Sequence, residues 1–439
     1  MKKIFVFTLL LFFILSGCAD AEKNEELDKY DGTVEEIAEF FVKDFTQKNV
    51  DSLIERYNYS EKVEQALNRM IFVQAYNMIE KDNSEFVKIG ESSRSVSQGK
   101  DLITYRLHYT EGVIKLNIIF ENDKLIAGFH YLQEKQQTAY SADIVSQDVE
   151  FGSDDFPINA TITYPGNGDD FSCIILVPGS GPTDRDSTLY ENTPLKDLAL
   201  GLAEKGIASL RFDKRSFTHS TKIDVKTFTP YEEYIEDVVF AYNYLKSNEK
   251  IDSKSIYIAG HSQGGNLIPA FAKEVEAAGY IILAGNVTPL HQLTINQLEY
   301  LYNLDDILSK EEESQLNAYK QMRDNINNIE ENSDYLASDL MGISKNYWLF
   351  YKNYDPINYA KEIDEKILII SGSRDYQVPR SEFELWKSGL EGMDNVDFKL
   401  FEGMNHLLFV GEGTPSPQEY MNPKQVSQEL INYISEWIK

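Results

Sequence analysis

Positive charge is scarce in this 439-residue chain: 42 Lys and Arg stand against 71 Asp and Glu, a formal net charge of −29. Nucleic acid is held through clustered Lys and Arg, so that partner class is excluded, and so is charge-driven adsorption to anionic lipid. Anionic substrates are disfavoured for the same reason. Only six histidines and two cysteines occur. No H-E-x-x-H or comparable metal spacing appears, so neither a metal nor another cofactor is expected. No propeller-like repeat is present, which argues against peptidases gated by a propeller. Long apolar runs are also missing, save one at the start, Ile4 to Leu15.

That run follows Lys2 and Lys3 and leads into Ser16-Gly17-Cys18, the layout of a secretory signal, and it is too short to span a bilayer comfortably. "LSGC" resembles the lipobox of bacterial lipoproteins, in which cleavage before the cysteine leaves a lipid-modified N-terminus. The expectation is a signal peptide over 1–17, a lipid anchor on Cys18 at the extracytoplasmic face of the cell membrane, and a polar tether over 18–30. Cys173, in the apolar "SCIILVP", then has no partner for a disulfide and reads as a small buried hydrophobe.

At this length two domains are expected. From Thr33, Val34, Ile37, Ala38, Phe41 and Val42 recur at helical spacing, and the pattern continues to about Ile79. Strand-like runs "LITYRLHYT", "VIKLNIIFEND" and "KLIAGFHYL" follow. Helices followed by an antiparallel meander suggest an α+β domain over 31–135, with a linker near Gln133 to Ser146. It resembles the small cone-shaped domain, related to nuclear-transport-factor-like folds, that often precedes secreted bacterial hydrolases. Its His108 and His130 read as strand residues with satisfied side chains, since no nucleophile or carboxylate pattern lies near them.

The remainder alternates strand and helix. Apolar strands "CIILVP", "IASLRF", "SIYIAG", "YIILAG" and "KILIISG" are separated by helical segments, the pattern of a doubly wound, mostly parallel sheet over 148–439. Active residues in such sheets gather at the carboxyl ends of the strands. At one of those ends stands Gly260-His261-Ser262-Gln263-Gly264, a G-x-S-x-G pattern in strand–turn–helix context. A serine hydroxyl needs a base to take its proton and a third group to orient that base. His406, in "GMNHLL" after the last strand-like run, is the base, because His261 lies inside the elbow and His219 and His291 precede any plausible acid. The acid is Asp375, directly after "KILIISG". The order Ser262, Asp375, His406 is the α/β-hydrolase order.

An oxyanion needs backbone N–H donors already in place, worth about 3–4 kcal/mol each. One is Gln263, the residue after the nucleophile. "LVPGSGPTDRDS" supplies the other, Ser180 first and Gly181 second. A phosphate-cradling reading of "GSG" lacks the following Gly-Lys-Ser/Thr.

Five features, "PGSGPTDRD", "RFDKRS", "GHSQGG", "GSRDYQVP" and "GMNHL", make the segment from about Asp148 resemble the α/β-hydrolase superfamily, near the bacterial serine esterases and dienelactone-hydrolase-like proteins. Two departures stand out. Pro178-Gly179 replaces the usual His-Gly of the oxyanion loop, and Ser-Phe-Thr-His-Ser follows "RFDKR" where relatives are glycine-rich. An insertion at about 287–354, rich in aromatics, reads as a helical cap over the site. Together with Met404, Leu407 and Leu408 it would bound an apolar acyl pocket. Arg185, Arg211 and Arg215 read as braces of the "TDRD" loop through ion pairs.

The expected function is hydrolysis of small, neutral, apolar acyl esters through an acyl-enzyme on Ser262. A peptidase or acyltransferase would use the same triad. A binding lipoprotein with a relic site is the rival of a different class.

Overall fold

The computed structural model describes residues 28–439 except 98, 123, 136, 137 and 167. The signal segment, Cys18 and the tether up to residue 27 lie outside the described residues. The chain divides after Glu134 into two compact units.

In the first unit, Thr33 and Glu36 form a reciprocal capping box that opens the helix Val34–Thr46. The helices Val50–Glu55, Glu61–Ala66 and Arg69–Asn83 follow. An antiparallel sheet then runs β1 (Phe86–Ser97), β2 (Lys100–Tyr109), β3 (Val113–Glu121) and β4 (Leu125–Gln133), paired in chain order. Phe41, Phe45 and Phe72 of the helices pack on Leu107, Leu116 and Ile118 of the sheet. β1 escaped the sequence reading because most of "GESSRSVS" faces solvent and carries no apolar alternation. It is held by its ladder with β2. His130 Nε2 lies 3.1 Å from the Asn117 amide nitrogen, so it is a hydrogen-bonded strand residue.

The second unit carries an eight-stranded sheet: β5 (Val145–Gly152), β6 (Pro157–Tyr164), β7 (Phe171–Val177), β8 (Ala208–Phe212), β9 (Ile251–His261), β10 (Gly279–Leu283), β11 (Ile367–Gly372) and β12 (Val396–Phe401). Its order is β12-β11-β10-β9-β7-β8-β6-β5. From β8 to β12 every pairing is parallel, while β6 and β5 add on antiparallel. The sheet thus begins at Val145, ahead of the expected 148, and β4 reaches Gln133, so the connection is shorter than the expected linker. The largely exposed β5 gives little hydrophobic signal and is fixed by its register, from Val145↔Tyr164 to Gly152↔Pro157.

Both faces of the sheet are buried. Along β7, Cys173, Ile175 and Val177 enter one core with Tyr234, Val238 and Phe271, while Ile174 and Leu176 enter the other with Leu198, Leu202 and Leu430. Continuous apolar strands are what a two-sided parallel sheet requires. From β7 the chain crosses to β8 on one side, whereas β9 to β12 extend on the other. The loops after β7 and β9 therefore meet at the point where the winding direction reverses, the usual crevice for a ligand.

The 287–354 segment holds the helices Leu290–Tyr302, Lys310–Asn327 and Lys345–Lys352. They enclose a small core of their own, Ile326, Ile329, Leu340 and Trp348. Among the described residues no helix is long and apolar enough to cross a membrane.

Candidate active site

Ser262 follows the last residue of β9 and has φ 55° and ψ −118°, a strained conformation for an L-residue. The turn is possible because its neighbours lack side chains. A Cβ on Gly260 would stand 2.2 Å from the Gly264 carbonyl oxygen, and one on Gly264 would stand 2.6 Å from that of Pro178. The Ser262 N–H donates to Leu283 O of β10 at 2.9 Å, which ties the elbow to the sheet edge.

Asp375 and His406 lie on the loops after β11 and β12, and both are buried. His406 Nδ1 donates to Asp375 Oδ2 at 2.7 Å, while Asp375 Oδ1 accepts from the N–H groups of Gln377 and Val378, each at 2.9 Å. That pattern fixes the imidazole tautomer with the proton on Nδ1, leaving Nε2 free to accept. His261 links this pair to the elbow. Its Nε2–H donates to the His406 carbonyl at 2.8 Å, and the two rings lie 4.7 Å apart. Burial, and then the neighbouring His406, push the His261 imidazole down to about 3, so it is a neutral structural group. No hydrogen bond joins the Ser262 hydroxyl to His406 among the described residues. Catalytic hydrogen bonds are often long before substrate arrives.

The register Val177↔Gly260 carries the Pro178-Gly179 turn alongside Ser262. A Cβ on Gly179 would stand 3.1 Å from Ser262 Cβ. Ser180 and Gly181 are exposed at the rim, Gly181 with φ 82°. Gln263 is buried beneath the elbow.

Sequence reasoning missed the side chains behind this loop. Lys214, fully buried, donates to Glu233 Oε1 at 2.9 Å, to Gly179 O at 3.2 Å and to the Tyr234 hydroxyl. Tyr234 donates to Gly179 O at 2.7 Å and lies 3.1 Å from Gln263 Oε1. The Gln263 amide donates to the hydroxyls of Tyr347 and Tyr351 in the cap, each at 2.7 Å, and Tyr347 donates to Glu233 Oε2 at 2.7 Å. The one available signal was the lysine of "RFDKRS", standing directly after β8 among charged neighbours.

The cap aromatics thus divide: Trp348 packs inside the cap, Tyr347 and Tyr351 hold Gln263, and Tyr300 stacks on Tyr376, 5.2 Å away beside Asp375. The expected acyl pocket needs correction. Met404 and Leu408 are fully buried in the sheet core with Leu430 and Ile434, and Leu408 has φ 67°. Leu407 alone of the three lies outside that core, packed with Phe409 and Tyr420. A cavity of about 500 Å³ behind the helix Lys345–Lys352, lined by Tyr231, Lys273, Phe350, Tyr354 and Tyr359, contains no member of the expected triad.

Arg185, Arg215 and Arg374 are engaged as braces, whereas Arg211 makes an ion contact only, its buried Nε and Nη1 having no hydrogen-bond partner among the described residues. Arg185 grips Asp213 in a fork at 2.8 and 3.1 Å, Arg211 lies 3.4 Å from Asp186, and Arg215 pairs with Glu236 and Asp237. Arg374 is held by Glu419 at 3.0 Å and by the Glu412 and Gly413 carbonyls.

Comparison with known proteins gives the chain a family. The BD-FAE family profile matches residues 162–390, a span that includes Ser262 and Asp375 and stops before His406. Esterase EstD of Thermotoga maritima is 30% identical over 412 residues, covering 93% of this chain and 96% of that protein. That alignment is longer than the second unit and so takes in part of the first. Among solved structures, Est1E from Butyrivibrio proteoclasticus is 17% identical, covering 66% of this chain and 96% of its own, with a TM-score of 0.42. The hyperthermophilic esterase of Pyrobaculum calidifontis is 17% identical, covering 67% and 85%, also with a TM-score of 0.42. The chain therefore belongs to the BD-FAE family, as an α/β-hydrolase of the esterase type.

Proposed function

We propose that the protein is a serine carboxylic-ester hydrolase working through an acyl-enzyme on Ser262. The observation that carries this reading is the Asp375–His406 hydrogen bond, set at the carboxyl edge of the sheet beside the strained Ser262 elbow. His406 Nε2 takes the Ser262 proton as Oγ attacks the ester carbonyl. The carbonyl oxygen becomes an oxyanion that accepts from the N–H groups of Gln263 and Ser180, and His406 then protonates the departing alcohol. Water repeats the sequence on the acyl-enzyme, with His406 as base and Ser262 as leaving group. Asp375 keeps the imidazole in its working tautomer and offsets the imidazolium charge as it forms.

The substrate class is small, neutral acyl esters. In support, Arg185, Lys214, Arg215 and Arg374 are each occupied by an acid of the chain, and the net charge is −29, while Arg211 makes an ion contact at 3.4 Å but, among the described residues, no hydrogen bond through Nε or Nη1. The location we propose is the extracytoplasmic face of the cell membrane, through a lipid on Cys18, supported by Lys2-Lys3, the apolar run and "LSGC".

Two measurements test these readings. A fluorophosphonate probe should label the wild type and leave Ser262→Ala unlabelled; labelling of both would remove Ser262 from the nucleophile's role. Fractionation of cells should find the wild type with membranes and Cys18→Ala released, since two acyl chains anchor stably. A wild type found wholly soluble would end the anchor proposal.

A further inference from the structure

Behind the oxyanion loop lies a buried ion pair that the serine mechanism does not use. Burying Lys214 and Glu233 together has a desolvation cost that attraction between them need not recover, so stability alone is a weak reason for the pair. Where the lysine points is more informative. All three of its N–H groups are engaged: one on Glu233 Oε1, one on the Tyr234 hydroxyl and one on Gly179 O. The Gly179 carbonyl receives a second donor from Tyr234 at 2.7 Å, so both of its lone pairs are filled. A backbone carbonyl in a loop seldom needs two buried side chains. Here it belongs to the residue whose Cα lies against Ser262.

The peptide bond turns that anchorage into an orientation. In a trans peptide the carbonyl of one residue and the N–H of the next point in opposite directions. Fixing Gly179 C=O inward on Lys214 and Tyr234 therefore aims the Ser180 N–H outward, to the exposed rim of the crevice beside Ser262. Tyr234 also reaches Gln263 Oε1, so the same phenol touches the residues on which both oxyanion donors depend.

We propose that Lys214 and Tyr234 are positioning residues for the oxyanion hole, holding the Gly179–Ser180 peptide so that Ser180 N–H is preset for the developing negative charge. The proposal rests on the serine-hydrolase reading above. Preset donors contribute most in the transition state and little to ground-state binding, so the effect belongs in kcat.

The test compares wild type, Tyr234→Phe and Lys214→Met on one p-nitrophenyl ester and on a trifluoromethyl ketone, whose serine adduct carries the oxyanion. A donor that is loosened should cost somewhat less than one removed, so kcat should fall by about 10- to 100-fold in each variant. KM should stay within about twofold, and the ketone's inhibition constant should rise by the same factor as kcat falls. Tyr234→Phe removes one oxygen and keeps the ring, so it decides the matter if Lys214→Met does not fold. Unchanged ketone affinity, or a loss confined to KM, would overturn the positioning role. Ser262→Ala run alongside separates the two claims. Turnover in that variant would overturn the serine reading and this proposal together, whereas a dead Ser262→Ala beside a fully active Tyr234→Phe would overturn this proposal alone.

Discussion

The two sides of the candidate site are held by different kinds of contact. Each loop of the acid–base side is shaped from close by, although the two loops are joined by the long-range Asp375–His406 and His261–His406 bonds: Asp375 takes the N–H groups of the residues two and three places on, and the His406 loop closes on Asn405 Oδ1, which accepts from Leu407 N at 3.1 Å. The oxyanion side is fixed from afar. Gly179 is gripped by residues 35 and 55 positions away, and Gln263 by residues 84 and 88 positions away. Short loops that shape themselves leave a motif in the chain. A peptide shaped by distant side chains leaves only isolated residues, each unremarked until the fold brings them together.

The comparison can be broken at its strongest point first. Ser262→Ala should reduce kcat by about 10⁶-fold, with folding intact by circular dichroism. Retained turnover would remove the centre that both sides are supposed to serve. Next comes the acid–base side: Asp375→Asn should keep the geometry but favour the wrong imidazole tautomer, lowering kcat by about 10⁴-fold. A loss below tenfold would mean that the 2.7 Å hydrogen bond to His406 does little for the reaction.

A smaller effect bears on the crevice between the two sides. For matched esters differing by a terminal carboxylate, kcat/KM should favour the neutral member by at least about tenfold, because an unpaired charge costs a few kcal/mol to desolvate. A preference for the anionic member would show that an arginine serves substrate, Arg211 with its unsatisfied Nε and Nη1 first among them.

The last effect is on stability and concerns His261, which joins the two sides. Its folded pKa, about 3, lies below the ordinary value of 6.5. Between those values the unfolded chain binds a proton that the folded chain refuses, so stability is full above pH 6.5 and falls as pH drops through that window. The expected slope from this group is up to about 1.4 kcal/mol per pH unit. Urea unfolding at pH 7.0 and 5.5 should show the loss, and His261→Gln should lessen it. An equal slope in the variant would assign the effect to other groups.

What was legible in the chain follows physical lines. The central strands are apolar throughout because the sheet is covered on both faces, and so they stand out, whereas β1 and β5 are held by ladders that composition does not reveal. Ser262, Asp375 and His406 could be singled out as candidates because each sits within a few residues of a strand's end and they occur in one chain order, and the structure sets Asp375 and His406 in hydrogen-bond contact. Lys214, Glu233, Tyr234, Tyr347 and Tyr351 were not, because a buried lysine and a buried tyrosine look like surface and core residues until their partners are known. Met404 and Leu408 were misplaced because nothing in "GMNHLL" distinguishes residues buried in the sheet core from residues lining a pocket.

On the nucleophile role proposed for Ser262, its conformation sets the fold and the catalyst against each other. Holding an L-residue at φ 55° and ψ −118° costs about 1–3 kcal/mol, which glycine would largely avoid. Any selection that rewarded only heat resistance or yield would drift toward glycine at this position and silence the chemistry as it did so. Under that proposed role, a stabilising engineering campaign would have to leave this residue alone.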